Sequence, residues 1–151
     1  MTHPEHRLQE MVQRLKKKGL RITPQRLAVL GILARSADHP GVDRIYEQVK
    51  TDFPTTSLAT VYKTLVLMKE LGEVLEIEFS DTGNRYDGNK PYPHPHLICT
   101  ECHKIIDPDL DTLAHMTREL TRDTGFKIVS HRLDFFGICP ECQKKGVASE
   151  K

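Results

Sequence analysis

Ser57-Leu-Ala-Thr-Val-Tyr-Lys-Thr-Leu-Val-Leu-Met-Lys-Glu-Leu-Gly72-Glu-Val-Leu-Glu-Ile-Glu-Phe79 contains a change of period. Up to Gly72, Leu58, Val61, Leu65 and Met68 recur at helical spacing behind a Ser57 that can cap the first turn. After Gly72 the period is two: Leu75, Ile77 and Phe79 alternate with Glu76 and Glu78, as in a half-buried strand. Asp81-Thr-Gly-Asn84 then reads as a turn and Arg85-Tyr-Asp87 as the return strand. A helix feeding a hairpin is the end of a winged helix-turn-helix.

Upstream, the chain reads as three more helices. Leu8, Met11, Val12 and Leu15 form one stripe, with Gly19 behind it as a C-cap. Thr23-Pro24 starts a second helix carrying Leu27, Leu30 and Ala34, because Thr caps and Pro suits the first turn. Val42, Ile45, Tyr46 and Val49 mark a third, closed by Pro54. Downstream, Gly88-Asn-Lys-Pro-Tyr-Pro-His-Pro-His96 reads as a hinge, since each proline removes a backbone donor. Beyond it lie strands at 97–99 and 104–106, a helix from Leu110 through Leu113, Thr117 and Leu120 to Gly125, a strand over 126–136, and a polar tail. The expected fold class is α+β. Residues 1–86 form the winged helix, 87–95 the hinge, 96–145 a second domain and 146–151 the tail.

Composition bounds the chemistry. Of 151 residues, 28% are charged and 38% hydrophobic, with a net charge of +1, the profile of a globular domain and not of a disordered chain. No run of 18 apolar residues exists, so no membrane helix and no membrane partner is expected. The front end, with no apolar h-region, does not read as a signal peptide, so the expected location is the cytoplasm. Overall basicity is absent, yet residues 1–26 hold seven basic and two acidic residues, enough for a local basic patch.

All four cysteines fall in two pairs, Cys99-x-x-Cys102 and Cys139-x-x-Cys142, each behind a predicted strand. Two such knuckles supply four thiolates, the ligand set of a closed, structural Zn²⁺ site. A site of this kind contributes on the order of 10 kcal/mol in small zinc domains. Four buried free thiols and a thioredoxin-like dithiol are the other readings. The second expects a helix after CxxC, whereas Cys102 runs into apolar Lys104-Ile-Ile106.

A second, sulfur-free set remains. His94 and His96 stand at i and i+2, one face of an extended strand. With Asp87, Asp107 and His39 they would make a five-coordinate N/O site suited to Fe²⁺ or Mn²⁺. Separate solvated loop histidines are the alternative.

The chain resembles the ferric uptake regulator family of bacterial metal-dependent repressors over nearly its whole length. The resemblance rests on Arg21-Ile-Thr-Pro-Gln-Arg26, Ser57-Leu-Ala-Thr-Val-Tyr-Lys63, His94-x-His96-Leu-Ile-Cys99-x-x-Cys102 and Cys139-Pro-Glu-Cys142. It implies an N-terminal winged helix, a hinge and a C-terminal α/β dimerisation domain. It also implies a structural zinc on Cys99, Cys102, Cys139 and Cys142, and a regulatory Fe²⁺ or Mn²⁺ on His39, Asp87, His94, His96 and Asp107. Asp at both 87 and 107, where iron sensors carry Glu, is similar to the peroxide-sensing branch. Pro95 stands where many iron sensors have an Asp of a further metal site. No cysteine is left over for a zinc sensor.

The resemblance carries expected roles to particular residues. The family's matching Tyr contacts DNA, so Tyr62 is expected to contact double-stranded operator DNA. On the same helix Ser57 and the outward-facing Thr60 and Lys63 are expected beside it from their position and chemistry, and Arg21 from the basic front end, with two such helices of a homodimer reading a palindrome. His39 and His94 would be the redox-sensitive ligands, oxidised when bound iron meets peroxide. The alternative within the family is an iron- or manganese-responsive repressor without peroxide sensing. A metalloenzyme is disfavoured by the short chain and the lack of a substrate-positioning motif. A purely structural zinc protein leaves the Thr60–Lys63 helix without a role.

Overall fold

The computed structural model describes residues 3–78 and 83–149. Its elements are α1 (Pro4–Lys17), α2 (Pro24–Arg35), α3 (Val42–Asp52), α4 (Leu58–Glu70), β1 (Leu75–Ile77), β2 (Arg85–Asp87), β3 (His96–Cys99), β4 (Ile105–Ile106), α5 (Thr112–Thr124), β5 (Asp134–Gly137) and α6 (Pro140–Ser149). They fall into two compact units, Met1–Tyr92 and Pro93–Lys151.

In the first unit the capping chemistry behaves as expected. The Thr23 hydroxyl accepts from the Arg26 amide and that of Ser57 from the Thr60 amide, both at 3.1 Å, satisfying first-turn donors that have no helical partner. Helix α4 ends in a Schellman motif. The Glu73 amide bonds the Met68 carbonyl, the Gly72 amide bonds that of Lys69, and Gly72 sits at φ 75°. That left-handed turn releases the chain into β1, which pairs antiparallel with β2 so that Glu76 faces Tyr86. Phe79, expected to continue the strand, and Asp81 and Thr82 of the expected turn lie outside the described residues.

Helix α2 is the centre of this unit and touches α1, α3 and α4. Met11, Leu15, Val29, Leu30, Leu33, Ile45, Val61, Leu65 and Met68 are all buried in one core, each worth about 1.5–3 kcal/mol. Two expected core positions are corrected. Leu27 and Leu58 are more than two-fifths exposed. Each lies in the first turn of its helix, on a side the core does not cover. On α2 Val29, Ile32 and Leu33 are buried beside Leu30 and Ala34 because neighbours surround that helix. On α4 Thr64 completes the inner face.

In the second unit β3 is central, antiparallel to β4 and parallel to β5. The crossover from β4 to β5 carries α5, which ends at Gly125 (φ 75°) as expected. The strand expected over 126–136 is corrected to Asp134–Gly137: 126–133 take no regular structure, and Phe126 and Val129 are exposed. Helix α6 runs to Ser149, into the stretch read as a polar tail.

Candidate metal centres and recognition helix

The cysteines converge. Cys99 ends β3, Cys102 lies in the turn to β4, Cys139 follows β5 and Cys142 lies in the first turn of α6. Their four sulfurs lie within 4.8 Å of one another, and the Cys102 and Cys139 Sγ atoms are 3.8 Å apart. A tetrahedron with Zn–S bonds of about 2.3 Å has an edge of about 3.8 Å, so the donor set fits Zn²⁺ in both chemistry and size.

The knuckles are preset for it. The Cys99 sulfur accepts the amides of Cys102 (3.5 Å) and Cys139 (3.4 Å). Those donors hold the Cys99 thiol down at about 6, in the order Cys102, then Cys139. Cys142 goes the other way: hydrogen bonding to Cys139, then burial, pushes its thiol up to about 12. Crowded thiolates repel a further negative charge, and a dication is what relieves that repulsion.

The nitrogen and oxygen donors form two preassembled groups, one in each unit. In the first, His39 Nε2 is 3.1 Å from Asp87 Oδ2, and both side chains are buried. His39 adopts φ 55°, a left-handed conformation uncommon outside glycine. The loop around it is stitched to β2: Arg85 donates from Nε to the His39 carbonyl and from its terminal nitrogen to that of Asp38, and the Tyr86 amide bonds the Pro40 carbonyl.

Asp87 is equally fixed. Its Oδ1 accepts the amides of Asn89 (3.0 Å) and Lys90 (2.8 Å), an Asx turn. Asn89 donates to the Ala34 carbonyl at the end of α2. Of the stretch read as a hinge, residues 87–90 are therefore packed into the first unit.

In the second unit, His94 Nε2 is 3.4 Å from Asp107 Oδ2 and His96 Nε2 is 3.9 Å from Asp107 Oδ1, with the two rings 4.5 Å apart. All three side chains are largely buried. The sequence reading missed Asp134, whose Oδ1 lies 3.2 Å from His96 Nδ1. Two imidazoles facing a carboxylate in a water-poor site are donors that suit Fe²⁺ or Mn²⁺.

On α4, the expected recognition residues Ser57, Thr60, Tyr62 and Lys63 are exposed, as is Arg21 before α2. The Ser57 and Thr60 hydroxyls also bond one another at 2.9 Å. Exposed Leu58 lies one turn before Tyr62 on the same face, an apolar addition the sequence reading placed in the core.

Residues 17–136 match the ferric uptake regulator family. The chain belongs to that family. It is 40% identical over 141 residues to the peroxide-responsive repressor PerR of Staphylococcus aureus, covering 93% of this chain and 95% of that protein. Among solved structures it is similar to the Helicobacter pylori ferric uptake regulator Fur, described as having three functional metal-binding sites, with TM-score 0.79, 29% identity, and coverage of 94% of this chain and 95% of that one. The Campylobacter jejuni peroxide stress regulator is also similar, with TM-score 0.71, 36% identity, and coverage of 87% and 98%. The chain is thus a metal-responsive repressor of the Fur and PerR kind, with a four-cysteine zinc site and a His/Asp regulatory metal site. Among the described residues no helix is long and apolar enough to cross a membrane.

Proposed function

We propose that this repressor senses hydrogen peroxide. The observation that carries the reading is the pair of aspartates at the N/O donor groups: Asp87 against His39, and Asp107 against His94 and His96. The 40% identity to a peroxide-responsive repressor supports it. In this reading His39 and Asp87 of the first unit and His94, His96 and Asp107 of the second hold one regulatory Fe²⁺ or Mn²⁺. Ligands drawn from both units favour one arrangement of the chain over others, and so shift its population.

Bound Fe²⁺ would activate hydrogen peroxide by giving up one electron and regaining one as the ring is oxidised, which Mn²⁺ would not. In the net reaction the His39 or His94 ring and one hydrogen peroxide would give an oxo-imidazole and one water: the O–O bond breaks, one oxygen bonds a ring carbon whose hydrogen ends on a ring nitrogen, and the other oxygen leaves as water. An oxidised ring is a poorer ligand, so the two units are released from their shared arrangement and the operator is freed.

Operator binding falls to the first unit. Thr60 and Lys63 present a hydroxyl and a cation to base edges and phosphates, Tyr62 presents a ring to thymine methyls, and Arg21 reaches a phosphate. Ser57 holds the N-terminus of α4 against the backbone. The second unit dimerises with a second copy. Among the described residues none of α5 is buried, and Met116, Leu120, Phe135 and Phe136 expose apolar surface that a second copy would cover.

The test is fluorescence anisotropy on a palindromic operator of the family type, in Mn²⁺ and in Fe²⁺, before and after peroxide. Both metals should support binding, and peroxide should release only the Fe²⁺ form. Digest mass spectrometry should then find one added oxygen on a peptide holding His39 or His94. Persistent binding with no added oxygen makes the chain a plain iron- or manganese-responsive repressor.

A further inference from the structure

We infer that Asp134 is a positioning residue for the regulatory site: it fixes the ring of His96 with the proton on Nδ1, so that Nε2 is the metal-facing lone pair. The inference rests on the reading of His96 as a ligand. Strands β3 and β5 run parallel with His96 directly paired to Asp134, and the His96 amide bonds the Leu133 carbonyl. The two side chains therefore leave neighbouring strands at a fixed register. Asp134 Oδ1 lies 3.2 Å from His96 Nδ1, while Arg132 donates from Nε to Oδ2 at 2.7 Å.

A carboxylate accepts and does not donate, so an imidazole bonded through Nδ1 to Asp134 must carry its proton there. Nε2, on the side of Asp107, is then an acceptor. Arg132 is half exposed but holds the second oxygen of a carboxylate that is itself buried, which keeps Oδ1 turned to the ring. Partners of this kind orient ligating histidines and raise their basicity, and losing one costs roughly 10–100-fold in metal affinity. Sequence reading had no signal for this role, because Asp134 stands 38 residues from His96 and outside both knuckles.

The experiment uses the full chain with its structural zinc retained and the regulatory site empty. Long-range ¹⁵N–¹H correlation of the imidazoles should show the His96 proton on Nδ1 in the parent chain. Asp134→Ala should lose that preference and bind Mn²⁺ roughly 10–100-fold more weakly. Asp134→Asn keeps an acceptor oxygen, so it should restore the tautomer and most of the affinity. A proton on Nε2 alone in the parent chain overturns the proposal, as does an unchanged tautomer and Mn²⁺ affinity in Asp134→Ala. Should Asp134→Ala fail to retain zinc, the parent spectrum and Asp134→Asn still decide. His96→Ala separates the two readings: undiminished Mn²⁺ binding there removes His96 from the site, whereas the Asp134–His96 tautomer is judged by the spectrum alone.

Discussion

Arg7 and Gly88 are 81 positions apart in sequence and joined by a 2.6 Å hydrogen bond from the Arg7 Nε to the Gly88 carbonyl. The same buried guanidinium donates to the Glu73 carbonyl at 2.7 Å and to its carboxylate at 3.2 Å. One side chain of α1 thus ties down both the exit from α4 and the turn behind Asp87. Arg7→Met keeps much of the stem but removes every donor. It leaves two backbone carbonyls short of a partner, which should cost about 2–3 kcal/mol. Urea unfolding of the first unit should show a lower midpoint with an unchanged slope. An unshifted midpoint would mean that water replaces the guanidinium without loss.

Gly88 meets α1 and α2 closely. A Cβ built there would lie 2.6 Å from the Leu33 Cβ and 2.9 Å from the Met11 Cε. The first neighbour is fixed to the α2 backbone and cannot swing away, so Gly88→Ala should cost about 1–3 kcal/mol through overpacking. Gly72 is a useful contrast. A Cβ built there would meet nothing within 4 Å, but its φ is 75°. Gly72→Ala should therefore cost only the left-handed strain of roughly 1–2 kcal/mol. Because Gly88 adjoins Asp87, proposed above as a ligand of the regulatory ion, Gly88→Ala should on that reading also weaken Mn²⁺ binding, whereas Gly72→Ala should not. Isothermal titration of both variants checks this, and equal losses of Mn²⁺ affinity would remove Gly88 from the support of the site.

These two glycines also show what was legible in the sequence. Gly72 announced itself, because a helical period ends there and a two-residue period begins. Gly88 read only as part of a hinge, because the side chains it packs against come from α1 and α2. The cysteine pairs and His94-x-His96 were legible for the same local reason, since knuckle spacing and strand alternation lie within a few residues. Arg7, Asp134 and the exposure of Leu58 were not. Each depends on which remote segment packs nearby, and no short window holds that information. The strand expected over 126–136 failed differently: apolar residues there look like strand, but only 134–137 find β3 to pair with.

Glu76 makes the first unit pH-dependent. Burial alone would raise its carboxyl, but hydrogen bonds from Lys69, Asn84 and Tyr86 outweigh that and hold it below its ordinary value of 4.5. The native state therefore prefers the ionised form more than the unfolded chain does. This contribution is complete above the ordinary carboxylate range and is lost as pH falls through that range and then through the lowered native value. Urea unfolding from about pH 6 down to about pH 3 should show stability falling with acid. Glu76→Gln should flatten part of that slope, since the remaining slope belongs to other carboxylates. A slope identical in Glu76→Gln would assign all of it elsewhere.

Zinc removal should divide the chain. The second unit has strands of two to four residues, and among the described residues α5 contributes none to a buried core. Its four sulfurs join β3, the turn to β4, the end of β5 and α6. A structural zinc contributes on the order of 10 kcal/mol, more than so small a core supplies. The first unit has no cysteine and a core of its own. Chelation should therefore release the amides of β3 and β5 to rapid hydrogen exchange while those of α2 and α4 stay protected. Cys102→Ser should reproduce the pattern without chelator, because three thiolates leave the tetrahedron open. Protection of β3 and β5 that survives complete zinc removal would show that apolar packing, not the metal, holds the second unit together.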